Sequence, residues 1–306
     1  MKYKFFFLMI ILTGYAGQAQ IIIKPTDALW KAIQDKNQKH AKAFVSGDIP
    51  ALMETYWNWG VVMPEHSATR YYPDAIKDYY KQWLSLAKMN NFTKTTYEVI
   101  DYDGYALETG TFTQNYTLKG GKPYNYTGKY MVLWRTSSKL FDSPWIAAEI
   151  WGSNTPFDDA VLPQITDEGA VVLRDRLTNS DIEKEVKGRN AIIAKLVKER
   201  KGGEHANMFL PDAIYMTYYT PMLVGIDKIR PYFTEHEKPG DVTIDSLLLD
   251  ASLVMETKDG AIEFGFYSVG YTASGRSGMV NGKSINVWKR DKNGALMMFR
   301  QMVNHD

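Results

Sequence analysis

Residues 128–135 read GKYMVLWR, and residues 282–289, 154 positions later, read GKSINVWK. The Gly, Lys and Trp are identical in the two octapeptides, and a basic residue follows each Trp. Upstream, ALETGTF at residues 106–112 is matched by AIEFGFY at residues 261–267, at an offset of 155 positions. An Asp-Gly pair, which is typical of a hairpin turn, precedes both copies of this second segment. The sequence therefore predicts an internal duplication and two related folding units.

The same order of secondary structure is expected in both halves. In the first half, helical spacing of apolar residues covers about residues 27–45, a short helix follows Asp48, and a third helix covers about residues 74–88. A short strand at 61–63 and β-rich segments at about 93–101, 106–117, 126–136 and 145–152 complete this half. The second half has helices at about 181–200 and 227–235 and strands at about 242–255, 261–272, 283–290 and 295–303. Helices that precede a run of antiparallel strands predict an α+β fold.

The first 19 residues have the layout of a signal peptide. Lys2 and Lys4 precede an apolar run at residues 5–12, and the small residues Gly17 and Ala19 follow it. This run is too short to span a bilayer, which takes about 20 residues. We therefore expect export to the periplasm or the medium, with cleavage near Ala19. Since the chain has no cysteine to carry a lipid, we expect no membrane anchor.

Composition excludes several classes of function. The 36 basic and 35 acidic residues become a net charge of −1 once Lys2 and Lys4 are removed, so nucleic acid is not an expected partner. A chain without cysteine has no disulfide framework and no thiol nucleophile. No phosphate-binding loop, dinucleotide fingerprint or serine nucleophile elbow is present, and we expect no cofactor. Because His40, His66 and Glu149 lack the spacing of a metal motif, we also assign no metal.

Long strands after three helices, the strand GKYMVLWR and the strand WIAAEIWGSN at residues 145–154 resemble the nuclear transport factor 2-like superfamily, and its SnoaL-like branch most closely. The resemblance covers roughly residues 27–154 and, more weakly, 175–306. It implies two cone-shaped domains, each with about three N-terminal helices packed on a curved, mostly antiparallel sheet. We place the first domain at 20–154, a linker at 155–170 and a second, divergent domain at 171–306.

The resemblance also implies an apolar pocket at the open end of the cone. The alternation of side chains along the strand at residues 145–152 indicates that Glu149 could line this pocket. Relatives often carry an inward carboxylate at this position, and its counterpart in the second half is expected at Arg300. Burial among Trp145, Trp151 and Met131 would raise the pKa of Glu149 toward a value useful for acid–base chemistry. The alternative is a cross-strand ion pair with Lys129 or Arg135.

Two histidines and four large side chains complete the candidate site. His66 lies in the loop at the expected pocket mouth, and His40 lies on the first helix near Phe44; each either assists proton transfer or is a solvated or core-edge residue. The expected ligand-binding residues are Trp59, Tyr72, Met131 and Trp151. The recurring Glu108 and Glu263 alternate with apolar neighbours and are expected to point to water.

Three functional hypotheses remain at this stage. The leading one is an exported protein that binds a small molecule, with the pocket in the first domain. The enzyme alternative is a cofactor-free lyase, isomerase or hydrolase that uses Glu149 as acid or base, assisted by His66 or His40. The third is a non-catalytic interaction module, because sheets of this fold commonly pair back to back, either as a pseudo-dimer within the chain or in a homo-oligomer.

Overall fold

The computed structural model describes Lys24 and residues 27–102, 104–136, 143–166 and 177–306. The predicted signal peptide lies outside the described residues, as do residues 167–170 of the predicted linker. In the described ranges, no helix has both the length and the apolar character that crossing a membrane requires.

The first unit places three helices before and between the strands of one sheet. Its elements are α1 (Ala28–Ser46), α2 (Ile49–Met53), β1 (Tyr56–Met63), β2 (Arg70–Tyr71), α3 (Tyr72–Leu86), β3 (Ala87–Asp101), β4 (Tyr105–Leu118), β5 (Pro123–Arg135) and β6 (Trp145–Ser153). A 3-10 turn at Asp159–Val161 follows on the way to the second unit.

The second unit repeats this order. Its elements are α4 (Asp181–Lys198), α5 (Gly202–His205), a 3-10 turn (Ala206–Met208), β7 (Phe209–Met216), β8 (Leu223–Val224), α6 (Ile226–His236), β9 (Val242–Thr257), β10 (Gly260–Ala273), β11 (Arg276–Arg290) and β12 (Leu296–His305). The predicted α+β fold with two related domains is confirmed.

Both sheets have six strands in the same spatial order. The first runs β2-β1-β6-β5-β4-β3 and the second β8-β7-β12-β11-β10-β9. Only the β1–β6 pair of the first sheet and the β7–β12 pair of the second are parallel, so each sheet is mixed but mostly antiparallel, as expected. Since the strands follow the same order in both sheets, a strand residue of one unit can be matched to the residue of the other unit that pairs with the corresponding partner.

Local sequence explains where several elements begin and end. Ser180 and Glu183 form a capping box that starts α4, and the Asp48 side chain accepts a hydrogen bond from the backbone of Ala51 at the start of α2. At the β10–β11 turn, Ser274 and Gly275 both have positive φ, as a tight hairpin turn requires.

Each unit has its own core between its helices and the inner face of its sheet. In the first unit this core contains Ile33 of α1, Ile76 of α3 and Trp134 of β5. The second core contains Val186 and Ile229 at the corresponding helix positions. Fully buried branched and aromatic side chains of this kind each contribute about 1.5–3 kcal/mol through removal of apolar surface from water.

A third apolar cluster lies between the outer faces of the two sheets. Met131 and Ile150 of the first sheet share it with Ile285, Phe299 and Met302 of the second. Both faces of each sheet are consequently buried over the central strands, which is why these strands read as nearly continuous apolar runs. A paired arrangement of the sheets is thus built within one chain.

Candidate functional site

The helices and the inner face of the first sheet enclose a cavity of about 260 Å³. Most of its wall is aromatic, formed by Phe44, Tyr79, Tyr80, Trp83, Phe92, Phe112, Tyr116, Tyr126, Tyr130 and Trp151. Residues 162–165, after β6, also line it, as does Asp306 from the second unit. A cavity that combines large rings with convergent polar groups is a usual setting for a small ligand.

Glu149 of β6 is the centre of the largest polar cluster on this wall. Its side chain is 4% exposed, and its Oε1 accepts a hydrogen bond from the Tyr56 hydroxyl. The Tyr80 hydroxyl lies 3.0 Å from the same oxygen and 2.7 Å from the Tyr56 hydroxyl. Burial and the neighbouring carboxylate raise the pKa of both tyrosines well above the ordinary value, so both remain protonated donors.

Lys94 of β3 supplies the counter-charge. Its Nζ lies 3.5 Å from Oε2 of Glu149, and its side chain is 5% exposed. The ammonium also lies 4.8 Å from the centre of the Tyr130 ring and 5.9 Å from that of Phe92. The predicted alternative partners of Glu149, Lys129 and Arg135, were wrong, because the cation comes from β3 across the cone and not from the neighbouring strand.

The net electrostatic effect on Glu149 is opposite to the expectation from sequence. Burial by itself raises its pKa, but the Lys94 cation, His40 and the hydrogen bonds from Tyr56 and Tyr80 together lower it below the ordinary value. Glu149 is thus a stabilised carboxylate at neutral pH. The prediction of a raised pKa was wrong because it lacked the cation and the two hydroxyl donors.

His40 of α1 adds a neutral imidazole to the cluster. Burial lowers its pKa to about 4, and its Nε2 lies 3.1 Å from the Tyr56 hydroxyl. Because Tyr56 donates its proton to Glu149, the contact with His40 is made by an N–H at Nε2. The Nδ1 atom is then an acceptor, and no hydrogen-bond partner for it lies among the described residues.

A β-bulge explains why Glu149 faces inward and Met131 does not. Leu133 pairs with Ala148 but Trp134 pairs with Ile146, so Ala147 is an extra residue in β6. Beyond the bulge, Glu149 pairs with Val132 on the inner face, whereas Met131 pairs with Ile150 in the cluster between the sheets. The sequence placed Glu149 and Met131 on one face by simple alternation, and that prediction was wrong.

The other predicted ligand residues are divided between two places. Trp151 and His66 lie on the cavity wall, and the His66 ring also contacts Tyr219 of the second unit, with Nε2 3.0 Å from its hydroxyl. Trp59 is 60% exposed and lines a different hollow, between the sheets. Tyr72 packs edge-on against Trp59, with 5.5 Å between ring centres, and does not line the cavity.

Glu65 is a second buried carboxylate on the cavity wall that sequence reasoning missed. Its Oε2 accepts hydrogen bonds from the Tyr126 hydroxyl at 2.5 Å and the Ser153 backbone at 2.8 Å. Its Oε1 has no hydrogen-bond partner among the described residues. The absence of a side chain at Gly152 makes room for it, since a Cβ there would lie 3.1 Å from Oε1. The proximity of Glu65 to Gly152 depends on the fold, and no local motif indicates it.

The second unit carries a different set of residues at the positions of the Glu149 cluster. The constant offset of 153 in the helices and in β1 matches His40, Tyr56 and Tyr80 with Ile193, Phe209 and Phe233. Strand pairing matches Lys94 with Leu249, since their partners Phe112 and Tyr267 correspond. Four polar groups are thus replaced by apolar ones in a unit of the same fold.

The residue of the second unit that corresponds to Glu149 is Gln301, and the predicted counterpart, Arg300, was wrong. Arg300 pairs with Val287 and corresponds to Ala148, whereas Gln301 pairs with Asn286 and corresponds to Glu149. Arg300 lies on the outer face, where it contacts Glu98 of the first unit. Because the matching residue is Gln301, the two units do not share a carboxylate at this position.

Glu108 and Glu263, predicted to point to water, are instead fully buried. Glu108 accepts hydrogen bonds from Asn37 at 2.8 Å and from the Trp134 indole at 2.9 Å. Glu263 has the matching donors, Asn190 at 2.6 Å and Trp288 at 2.7 Å. The prediction was wrong because it assumed one solvated face, and in both sheets the two faces are buried.

No protein-family model matches the sequence, and no curated protein does so either. Three similar solved structures each correspond to about two fifths of this chain. A ketosteroid isomerase-like protein from Erwinia carotovora atroseptica is 20% identical, covers 42% of this chain and 99% of its own, and has a TM-score of 0.39. An NTF-2-like protein of unknown function from Shewanella oneidensis is 17% identical, with coverage of 40% and 97% and a TM-score of 0.32. A putative calcium/calmodulin-dependent protein kinase II association domain from Xanthomonas campestris is 19% identical, with coverage of 43% and 91% and a TM-score of 0.34.

Proposed function

We propose that this is an exported protein that binds a small molecule in the cavity of its first unit. The observation that carries the proposal is the difference between the two copies. The first copy carries His, Tyr, Tyr, Lys and Glu around the cavity, whereas the second carries Ile, Phe, Phe, Leu and Gln at the same positions. The fold therefore does not need the polar set.

Energetics favour a ligand role for these groups over a structural one. Removing a lysine and a glutamate from water costs several kcal/mol per ion, and replacing such a pair by apolar residues is often neutral or stabilising. Burial of these charges is unfavourable, and the second unit folds without them. Their presence in the first unit is therefore better explained by a function than by stability. Preorganised polar groups at one end of an aromatic cavity give a ligand its orientation.

The cavity wall indicates the class of ligand. Its volume of about 260 Å³ suits a compact molecule of one or two rings, because drug-sized ligands occupy about 300–1,000 Å³. The aromatic walls favour a flat, largely apolar body. The ammonium of Lys94 suits a carbonyl or hydroxyl oxygen, and Oε1 of Glu65 suits a hydroxyl or amine donor. We therefore expect a flat molecule with polar groups that match these two contacts.

The test is recovery of a bound molecule. The full chain is purified without denaturation from its native host, and bound small molecules are identified by native mass spectrometry followed by extraction. A matched variant carries the second unit's residues at the five positions (His40→Ile, Tyr56→Phe, Tyr80→Phe, Lys94→Leu, Glu149→Gln). The wild type is expected to retain a molecule that the folded variant does not. Equal retention by both proteins would contradict the assignment of the site.

Proton-transfer catalysis is a second candidate, and the position of Glu149 as a buried carboxylate on the cavity wall favours it. A buried carboxylate next to a lysine and two tyrosine donors can remove a proton and stabilise the resulting anion. In D₂O, an enzyme of this kind would exchange a carbon-bound hydrogen of the retained molecule, and Glu149→Gln would abolish the exchange. A pure binding protein would show no exchange in either form.

Export is tested separately. We propose that residues 1–19 are removed and that the mature chain is released, on the basis of the basic start, the apolar run and the small residues before Gln20. N-terminal sequencing of the protein recovered outside the cytoplasm should begin near Gln20. A full-length N-terminus on protein retained inside the cell would refute the proposal.

A further inference from the structure

A second hollow, of about 310 Å³, lies at the seam between the two sheets and is separate from the cavity of the first unit. The first unit contributes Trp57, Trp59, Tyr105 and Ala147 to its wall, and the second contributes Leu253 and Phe264. Its walls are aromatic and aliphatic, and the Trp59 ring at its edge is 60% exposed. None of the residues of the Glu149 cluster lines this hollow.

The duplication shows what occupies the matching place on the other side of the seam. Ile146 and Ala148 correspond to Met298 and Arg300, because they pair with corresponding residues of β5 and β11. Ala147 therefore corresponds to Phe299, whose ring is fully buried in the cluster between the sheets. One side of the seam carries a phenyl ring where the other carries a methyl group.

Cations hold the Phe299 ring in its place. The guanidinium of Arg300 lies 3.7 Å from the ring centre, and Nζ of Lys289 lies 5.2 Å from it. Lys289 corresponds to Arg135, which pairs with Tyr105 as Lys289 pairs with Gly260. On the side of the hollow, a cation at the matching position lies against the wall residues Trp57 and Tyr105, and no ring corresponds to that of Phe299.

The charge that neutralises Arg300 is also absent on the side of the hollow. Arg300 forms a two-contact ion pair with Glu98, with distances of 2.5 and 2.9 Å. Strand pairing matches Glu98 with Leu253, and Arg300 matches Ala148. Both matching residues are apolar, and the described residues that line the hollow include no charged side chain, so its wall offers no counter-charge to a charged guest.

We propose that this hollow binds an uncharged aromatic molecule, whose ring takes the place that Phe299 fills on the opposite side. The indoles of Trp57 and Trp59 and the phenol of Tyr105 provide faces and edges for ring stacking. Arg135 stacks on this wall from behind, with its guanidinium 4.6 Å from the Tyr105 ring centre and 5.9 Å from that of Trp57. The size asymmetry between Ala147 and Phe299 creates the space.

The experiment uses N-phenyl-1-naphthylamine, a neutral aromatic probe whose fluorescence rises in apolar surroundings, with the full chain. Ala147→Phe copies the residue that fills the opposite side and is expected to weaken binding at least tenfold. Trp59→Ala removes an exposed wall, so it tests the same site without risk to the core, and should weaken binding severalfold. The conservative change Ala147→Ser is expected to bind as the wild type does.

The five-position variant that removes the polar cluster distinguishes this site from the cavity of the first unit. If the probe occupies the hollow, that variant binds it with unchanged affinity. Loss of binding in that variant, unchanged binding in Ala147→Phe and Trp59→Ala, or no binding by the wild type would each overturn the proposal.

Discussion

The ion pair between Lys94 and Glu149 gives a direct test of whether the polar cluster is needed for folding. The two side chains are 5% and 4% exposed, and 3.5 Å separates Nζ from Oε2. At an effective dielectric constant of about 20, this separation corresponds to about 5 kcal/mol of attraction. Most of that attraction offsets the cost of taking two charges out of water, so the net contribution of the intact pair is far smaller.

Single replacements should consequently cost much more than the double replacement. Lys94→Leu leaves a buried carboxylate without its cation, and Glu149→Gln leaves a buried ammonium without its anion. Each is expected to lower the free energy of unfolding by about 3–5 kcal/mol. The double variant reproduces Leu249 and Gln301 of the second unit, and its free energy of unfolding should lie within about 1 kcal/mol of the wild type.

The assay is a double-mutant cycle by urea denaturation, followed in parallel by tryptophan fluorescence and far-ultraviolet circular dichroism. The exposed pair of Lys184 and Asp181 is the control, because the same cycle there should show no measurable coupling. If the double variant were as unstable as the sum of the two single variants, the pair would not interact. Each side chain would then be needed for folding in its own right, which would contradict a role reserved for a ligand.

Three further predictions concern pH, the seam and backbone packing. Burial lowers the pKa of His40 to about 4, so as the pH falls from about 6.5 to 4 the unfolded chain binds a proton at this histidine and the folded chain does not. The free energy of unfolding should therefore decrease by up to about 3 kcal/mol over this range. In urea denaturation at several pH values, His40→Asn should make this decrease smaller. Arg300→Met should lower the free energy of unfolding by about 3–5 kcal/mol, because it leaves the Glu98 carboxylate buried between the sheets without its cation. The double variant with Glu98→Leu should recover most of this loss in the same assay. Gly110→Ala should strongly destabilise the folded protein, because the new Cβ would lie 2.4 Å from the Thr95 carbonyl oxygen. Gly188→Ala lies in α4 with open space at the Cβ position, and its higher helix propensity should raise the thermal midpoint by the equivalent of about 1 kcal/mol. Equal effects of the two glycine replacements would contradict the packing argument.

The fold could be predicted because the duplication repeats its signals. Two strand segments recur at offsets of 154 and 155, and each half reads as helices before long strands. The predicted helix at 74–88 begins and ends within two residues of Tyr72–Leu86, since Pro73 lies at its first turn and the apolar spacing is regular. These features depend on nearby residues, which is why sequence alone suffices for them.

The site was only partly predictable because its contacts join distant residues. The bulge at Ala147 reverses strand parity, and neither a glycine nor a change of composition marks it. Lys94 lies 55 residues from Glu149 in sequence, so the sign of the pKa shift at Glu149 depended on a partner that alternation along one strand cannot identify. Glu108 faces helix α1 and bonds to Asn37, while the second sheet covers the opposite face, which carries Leu107. The sequence prediction took the Leu107 face as the single buried face, because it did not include the second sheet.

The chain contains its own control for separating structural polar groups from functional ones. The network of Asn37, Glu108 and Trp134 is repeated by matched residues of the second unit, with the same donors on the same carboxylate oxygens. A buried network kept in both copies serves the fold that both share, because it satisfies the helix amide and the indole against the sheet.

The cluster around Glu149 is present in one copy only, where it borders a cavity. If the fold required it, the second copy would be expected to keep it, yet the matched residues Ile193, Phe209 and Phe233 have no polar side-chain atoms and belong to the apolar core of that unit. The asymmetry between the copies therefore separates a network shared by both units from a cluster found in one, and it supports the proposal that the Glu149 cluster serves a ligand.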